Sequence, residues 1–164
     1  MVYTTRTSNG NTASFLPYLS WWNTGYNDLT NVAFANNSTS VAEIALIPAA
    51  GFSVTLNSFD LGAYFLTTGS SQWTIYDSAY NPLASSGSIS VGSGATTHYT
   101  TAPRLTNSNR LILQWGPNAY NAGIDNFNFT TQPTSIVPEP STMLFLATGL
   151  VGILGYGWRR KRAA

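Results

Sequence analysis

The chain has 164 residues, of which 8% are charged against roughly 25% in a typical soluble domain, and Ser, Thr and Asn fill 54 positions in their place. With no cysteine and one histidine, His98, disulfides, thiolate chemistry and multi-histidine metal centres are excluded, while 13% aromatic residues argue against a disordered chain. The net charge of +1 conceals a basic cluster, Arg159, Arg160, Lys161 and Arg162. The remainder holds only Arg6, Arg104 and Arg110 against six acidic residues, which excludes a nucleic-acid-binding face.

Along the body of the chain the dominant period is two. Asn31 to Ala35 and Val41 to Ile47 are weaker strand candidates, and Phe52 to Asn57 follows as a clear alternation of Phe52, Val54 and Leu56 with polar neighbours. Gln72 to Tyr76, Ser88 to Val91, His98 to Thr101, Leu111 to Trp115 and Asp125 to Thr130 continue the series. Turn signals at Pro48 to Gly51, Gly69 to Ser71, Asn81-Pro82, Gly92 to Gly94, Asn107 to Asn109 and Gly116 to Asn118 separate these runs. Short strands with regular turns and no amphipathic helix predict an all-β fold, an antiparallel β-sandwich or jelly roll, over residues 1–129. Residues 130–136, TTQPTSI, read as a Pro-containing linker.

From Thr142 to Trp158 seventeen residues carry no charge. As a helix they span about 26 Å, near the lower limit for a bilayer core of about 30 Å, so one C-terminal transmembrane helix is expected over 142–158. The basic stop Arg159 to Arg162 predicts a cytoplasmic C-terminus and an exported N-terminal domain. Just before the span, the prolines of Val137-Pro138-Glu139-Pro140-Ser141-Thr142 keep the segment out of a helix and accessible.

This order of VPEPST, apolar span and RRKR resembles the PEP-CTERM sorting signal over residues 137–162. The resemblance implies recognition by an exosortase-type enzyme of Gram-negative bacteria with exopolysaccharide systems. It further implies export, transient tethering, processing at Val137, Pro138, Glu139 and Pro140, and delivery to the cell surface or extracellular matrix. A secretory leader would then be expected, yet Met1 to Arg6 opens a polar segment, and Leu16 to Trp22 is short and interrupted by Pro17 and Ser20. The expectation is therefore a start placed downstream of the true one, with the first strand or strands lost.

Val54 to Gly62, Leu111 to Gly116 and Gly123 to Phe129 resemble strands of the small jelly-roll ectodomains that precede such signals. Gly123 to Phe129, GIDNFNF, is also similar to the last strand of galactose-binding-like carbohydrate-binding modules, which implies Asp125 as a ligand to a structural calcium, the one cofactor considered. The residues themselves offer a plainer role for Asp125, accepting backbone hydrogen bonds at a strand entrance, and Asp60 and Asp77 read alike. A glycan platform needs exposed aromatic rings, for which Trp21, Trp22 and Tyr120, with Tyr76 and Tyr80, are the candidates. Trp73 and Trp115 lie on the apolar phase of their strands and belong to the core. Trp21 and Trp22 point to opposite faces if extended, so one is expected to be exposed, with core or rim packing the weightier role. The carboxylates Asp28, Glu43, Asp60, Asp77 and Asp125 are scattered without a catalytic motif, and His98 reads as a surface imidazole.

These readings define a non-enzymatic exported protein with a structural or adhesive role, its partners an exosortase, the membrane and exopolysaccharide. A calcium-stabilised carbohydrate-binding module is the alternative, and a surface carboxylate hydrolase the second alternative.

Overall fold

The computed structural model of the chain describes residues 1–65, 69–92, 98–134, 144–151 and 158. They fall into two compact units, Met1–Thr134 and Ser135–Ala164.

The described residues of the first unit form two antiparallel sheets. One runs in the order β2 (Ser14–Leu16), β1 (Val2–Arg6), β5 (Val41–Leu46), β12 (Leu111–Gly116), β7 (Gly69–Tyr76), β8 (Pro82–Ser85), with β9 (Ile89–Val91) also paired to β7. The other runs β10 (Tyr99–Thr101), β6 (Phe52–Ala63), β13 (Ala122–Pro133), β4 (Val32–Phe34), β3 (Ser20–Trp22), with β11 (Leu105–Asn107) also paired to β6.

Alternation along the strands builds the interior between the sheets. Ala42, Ile44 and Leu46 of β5, Trp73 and Ile75 of β7, and Leu111, Leu113 and Trp115 of β12 pack with Val54, Leu56, Phe59 and Leu61 of β6 and Ile124 of β13. Two contacts cross from sheet to sheet. Phe59 meets Trp73 edge-on with ring centres 5.7 Å apart, and the Trp115 indole N–H donates to the Ala122 carbonyl at 2.8 Å. Trp73 and Trp115 thus lie in the core, as the strand phase requires.

The outer face of the first sheet hides a polar network instead of facing water. Glu43 of β5 is 2% exposed and receives the Arg6 guanidinium through Nε and Nη2, the Gln114 amide at 2.7 Å and the Tyr80 hydroxyl. Arg6 also donates to the Thr12 carbonyl, and Gln114 exchanges two hydrogen bonds with the Gly10 backbone. The segment after β1 is thereby closed over the sheet, and one of the few cations of the body is consumed.

Both long strands exceed the alternation that signalled them. β6 continues to Ala63, and β13 spans 12 residues with a register break between Asp125 and Asn128, where Asn126 takes a φ of 50°. Thr130 to Pro133, expected to open the linker, instead extend β13 against Phe52 to Thr55, and the Thr134 N–H bonds the Gly51 carbonyl. Proline is tolerated there because it closes the strand.

In the second unit residues 144–151 are helical, and Leu144, Phe145, Leu146, Leu150 and Val151 are all exposed. Thr148 turns its hydroxyl back onto the Leu144 carbonyl at 2.8 Å, so this side chain is satisfied by the helix itself. The expected span over 142–158 is described only at 144–151 and 158, and no helix among the described residues is long and apolar enough to cross a membrane. Val137 to Pro140 and Arg159 to Arg162 lie outside the described residues.

Candidate functional site

The segment between β3 and β4 folds back over the end of the second sheet. Gly25 and Asn27 adopt positive φ, 85° and 53°, and set Tyr26 beside Tyr64. Asn27 then serves as a substitute strand for the end of β6: its N–H bonds the Ala63 carbonyl and its side-chain oxygen accepts the Ala63 N–H at 2.6 Å. Asp28 secures the same segment from the other side, accepting the His98 backbone N–H and lying 2.9 Å from the ring Nδ1.

Two glycines make this fold-back possible. A Cβ on Gly62 would stand 2.6 Å from the Tyr26 carbonyl oxygen, and one on Gly123 would reach 2.0 Å from Val32 Cγ1 and 2.9 Å from Tyr26 Cε1. Only a bare backbone lets the segment seat on β6 and β13.

The seated segment encloses a cleft of about 130 Å³ lined by Trp22, Tyr26, Phe34, Tyr64 and Tyr120. Tyr26, 2% exposed, forms its floor, held by a hydrogen bond from its hydroxyl to the Tyr120 carbonyl at 2.6 Å. Burial pushes the Tyr26 phenol far above its ordinary pKa, with the neighbouring Tyr120 and Tyr64 acting in the same direction, so the floor stays uncharged. Phe34 meets Tyr120 edge-on at 5.7 Å, and Tyr26 meets Tyr64 at 5.2 Å. Trp22 at 47% and Tyr120 at 38% exposure are the open walls. Among the described residues neither the Trp22 indole N–H nor the Tyr120 hydroxyl takes a hydrogen-bond partner.

Of the aromatic candidates from sequence, Trp22 and Tyr120 line the cleft and Trp21 does not. Trp21 pairs with Ala33 and Trp22 with Val32, so the two rings do point to opposite faces. Neither ring enters the core: both are exposed, Trp21 at 60%. The reason is position, since β3 is the last strand of its sheet and the inward side of an edge strand can lie beyond the cover of the opposite sheet. Tyr76 and Tyr80 stack on each other over the buried polar network. Tyr26, Phe34 and Tyr64 escaped sequence reading; Phe34 alone carried a signal, the two-residue spacing from Val32.

The acidic candidates are placed as follows. Asp125 accepts the N–H groups of Asn31 at 3.1 Å and Asn126 at 2.7 Å. Asp77 accepts those of Ala79 and Asn81, and these bonds, the Asn81 side chain foremost, hold its carboxyl below the usual range. Asp60 accepts the Asn126 amide and lies 3.4 Å from His98 Nε2, while Asp28 faces the other ring nitrogen. The imidazole occupies the gap between these two carboxylates, a gap that a glycosidase pair keeps open for sugar or water. His98 is thus partly covered and joined to two acids. No group of three or more His, Asp or Glu among the described residues is placed to hold a metal.

Comparison with known proteins adds one firm assignment, first at the level of class: residues 137–162 match a family model for a protein-sorting motif. The motif is PEP-CTERM, so the chain carries a signal for export to the cell envelope and surface, with an exosortase as its processing partner. No curated protein matches the chain. Among solved structures, one described as "CBM4 structure and function" superposes with a TM-score of 0.41 and 11% identity, covering 79% of this chain and 94% of that one.

Proposed function

We propose that the first unit is a surface-displayed, non-catalytic adhesive module that holds a saccharide of the surrounding matrix in the aromatic cleft. In this reading the second unit is its temporary anchor: the apolar segment 142–158 spans the membrane, Arg159 to Arg162 stop transfer, and cutting at Val137 to Pro140 releases the module to the surface. The observation that carries the reading is the convergence of Trp22, Tyr26, Phe34, Tyr64 and Tyr120 on one small cleft from four separate stretches of chain. Aromatic walls with a few polar groups at the rim are the usual make-up of a small-molecule site. The apolar C–H face of a sugar ring fits against them while the Trp22 N–H and Tyr120 hydroxyl meet its hydroxyls. The exposed helix 144–151, apolar on all sides, supports the anchor.

Binding to polysaccharide from the cells that make the protein tests the module. Retention on that polysaccharide is expected, with Trp22→Ala reducing affinity about tenfold or more and Phe15→Ala, on the exposed edge strand β2, leaving it intact. Equal binding by Trp22→Ala and the parent would refute the cleft.

A further inference from the structure

We infer that the cleft accepts a single neutral hexopyranose ring and rejects uronate- or sulfate-bearing sugars, an inference that rests on the saccharide reading above and adds the ligand's size and charge. Size comes first. Drug-sized ligands occupy pockets of roughly 300–1,000 Å³, and a dry cavity of about 150 Å³ holds benzene, whose ring carries no substituents, so an open cleft of this order has room for the face of one sugar ring and not for two. At about 130 Å³, open on the side of Trp22 and Tyr120, this cleft takes one ring and leaves its neighbours in a chain to solvent.

Charge decides the chemical class. Every lining residue is uncharged, and the buried Tyr26 phenol stays protonated. A carboxylate or sulfate brought against these rings would lose water and gain no cation in return. Arg6 is not available to offset it, because its guanidinium is bound to Glu43, Tyr80 and Thr12 on the other sheet. The unit that carries the cleft, Met1–Thr134, holds five acidic residues against three basic ones, so its field also repels polyanions. A neutral ring has an apolar C–H face for the aromatic walls and hydroxyls for the Trp22 and Tyr120 donors.

Saturation-transfer NMR on the full chain in a zwitterionic, sugar-free detergent tests both halves. The probes are methyl glucoside, methyl galactoside, the methyl glucuronide, a sulfated glucoside and a neutral linear oligosaccharide. Transfer is expected to at least one neutral glycoside, and in an oligosaccharide it is expected to concentrate on one ring; the glucuronide and sulfate are expected to compete about tenfold more weakly or not at all. Trp22→Ala and Tyr120→Ala are expected to abolish transfer, and Trp22→Phe, which keeps a ring, to restore part of it. Acidic sugars binding as well as neutral ones would overturn the charge inference, and saturation spread evenly along the oligosaccharide would overturn the single ring; either result leaves saccharide binding standing. No transfer to any saccharide would overturn the saccharide reading itself.

Discussion

Glu43 is the most heavily engaged carboxylate of the body, with Arg6, Gln114 and Tyr80 all directed at it. A buried charge stripped of its partner is costly, so Glu43→Ala is expected to lower unfolding free energy by about 3–5 kcal/mol in denaturant melts. Glu43→Gln, which still accepts from Gln114 and Tyr80, should lose less. Asp28, like Asp77, is a residue where pH enters. The hydrogen bond from the His98 ring, followed by backbone amides, lowers its pKa on folding. A carboxyl depressed in the folded state contributes stability above its unfolded pKa and loses it as pH falls through the folded value. Thermal melts should therefore show stability declining from about pH 4 downward, with a weaker acid dependence in His98→Ala. That Trp73 and Trp115 are core was legible from their phase on strongly alternating strands. The pairing of Asp28, His98 and Asp60 was not, because residues 28, 60 and 98 meet only through the fold-back after β3.

Among elements, the long central strands announced themselves, and the short ones did so only in part: β4, β9 and β10 fell within runs read as strands, the others did not. β6, β7, β12 and β13 bury one side-chain set between the sheets, which imposes a two-residue period on the sequence. Strands β2, β3 and β11 are three residues long, β8 opens with Pro82, and β1 is the polar-looking Val2 to Arg6, so none carries enough alternation to be read. The cleft depends on one such poorly signalled piece, the segment following β3. Gly62→Ala is expected to push that segment off β6: its Cβ would meet the Tyr26 carbonyl, a backbone group, before the Leu29 side chain. A loss of about 1–3 kcal/mol in melts is expected, together with a change in Trp22 emission as the floor beneath it shifts. An unchanged spectrum and melting temperature would mean that the fold-back does not need the bare backbone at Gly62.

At the scale of the whole molecule, the second unit carries the sorting motif, and the proposed reading gives binding to the first. Intact-mass measurement of the surface form is expected to find a new C-terminus at Val137 to Pro140; a surface form still ending in Arg162-Ala163-Ala164 would remove the processing step. Delivery was legible because a sorting signal is linear, read as a tripeptide, an apolar run and a basic stop. The cleft was only partly legible: Trp22 and Tyr120 stood out as aromatics, but the three rings that complete it come from a turn, a short strand and a strand end.

β13 begins beside the cleft and ends, in sequence, just before the sorting segment. Its first residue, Ala122, pairs with Ala63 between Tyr120 and Tyr64 of the cleft, and its last, Pro133, pairs with Phe52 just before the sorting segment. On the proposed reading, a saccharide held in the cleft before the anchor is cut would load β13 along about 40 Å of strand. That pull would act in shear, with the hydrogen bonds between β6 and β13 resisting together instead of peeling apart singly. Until the cut is made, β13 would be the strand that carries the pull within the first unit.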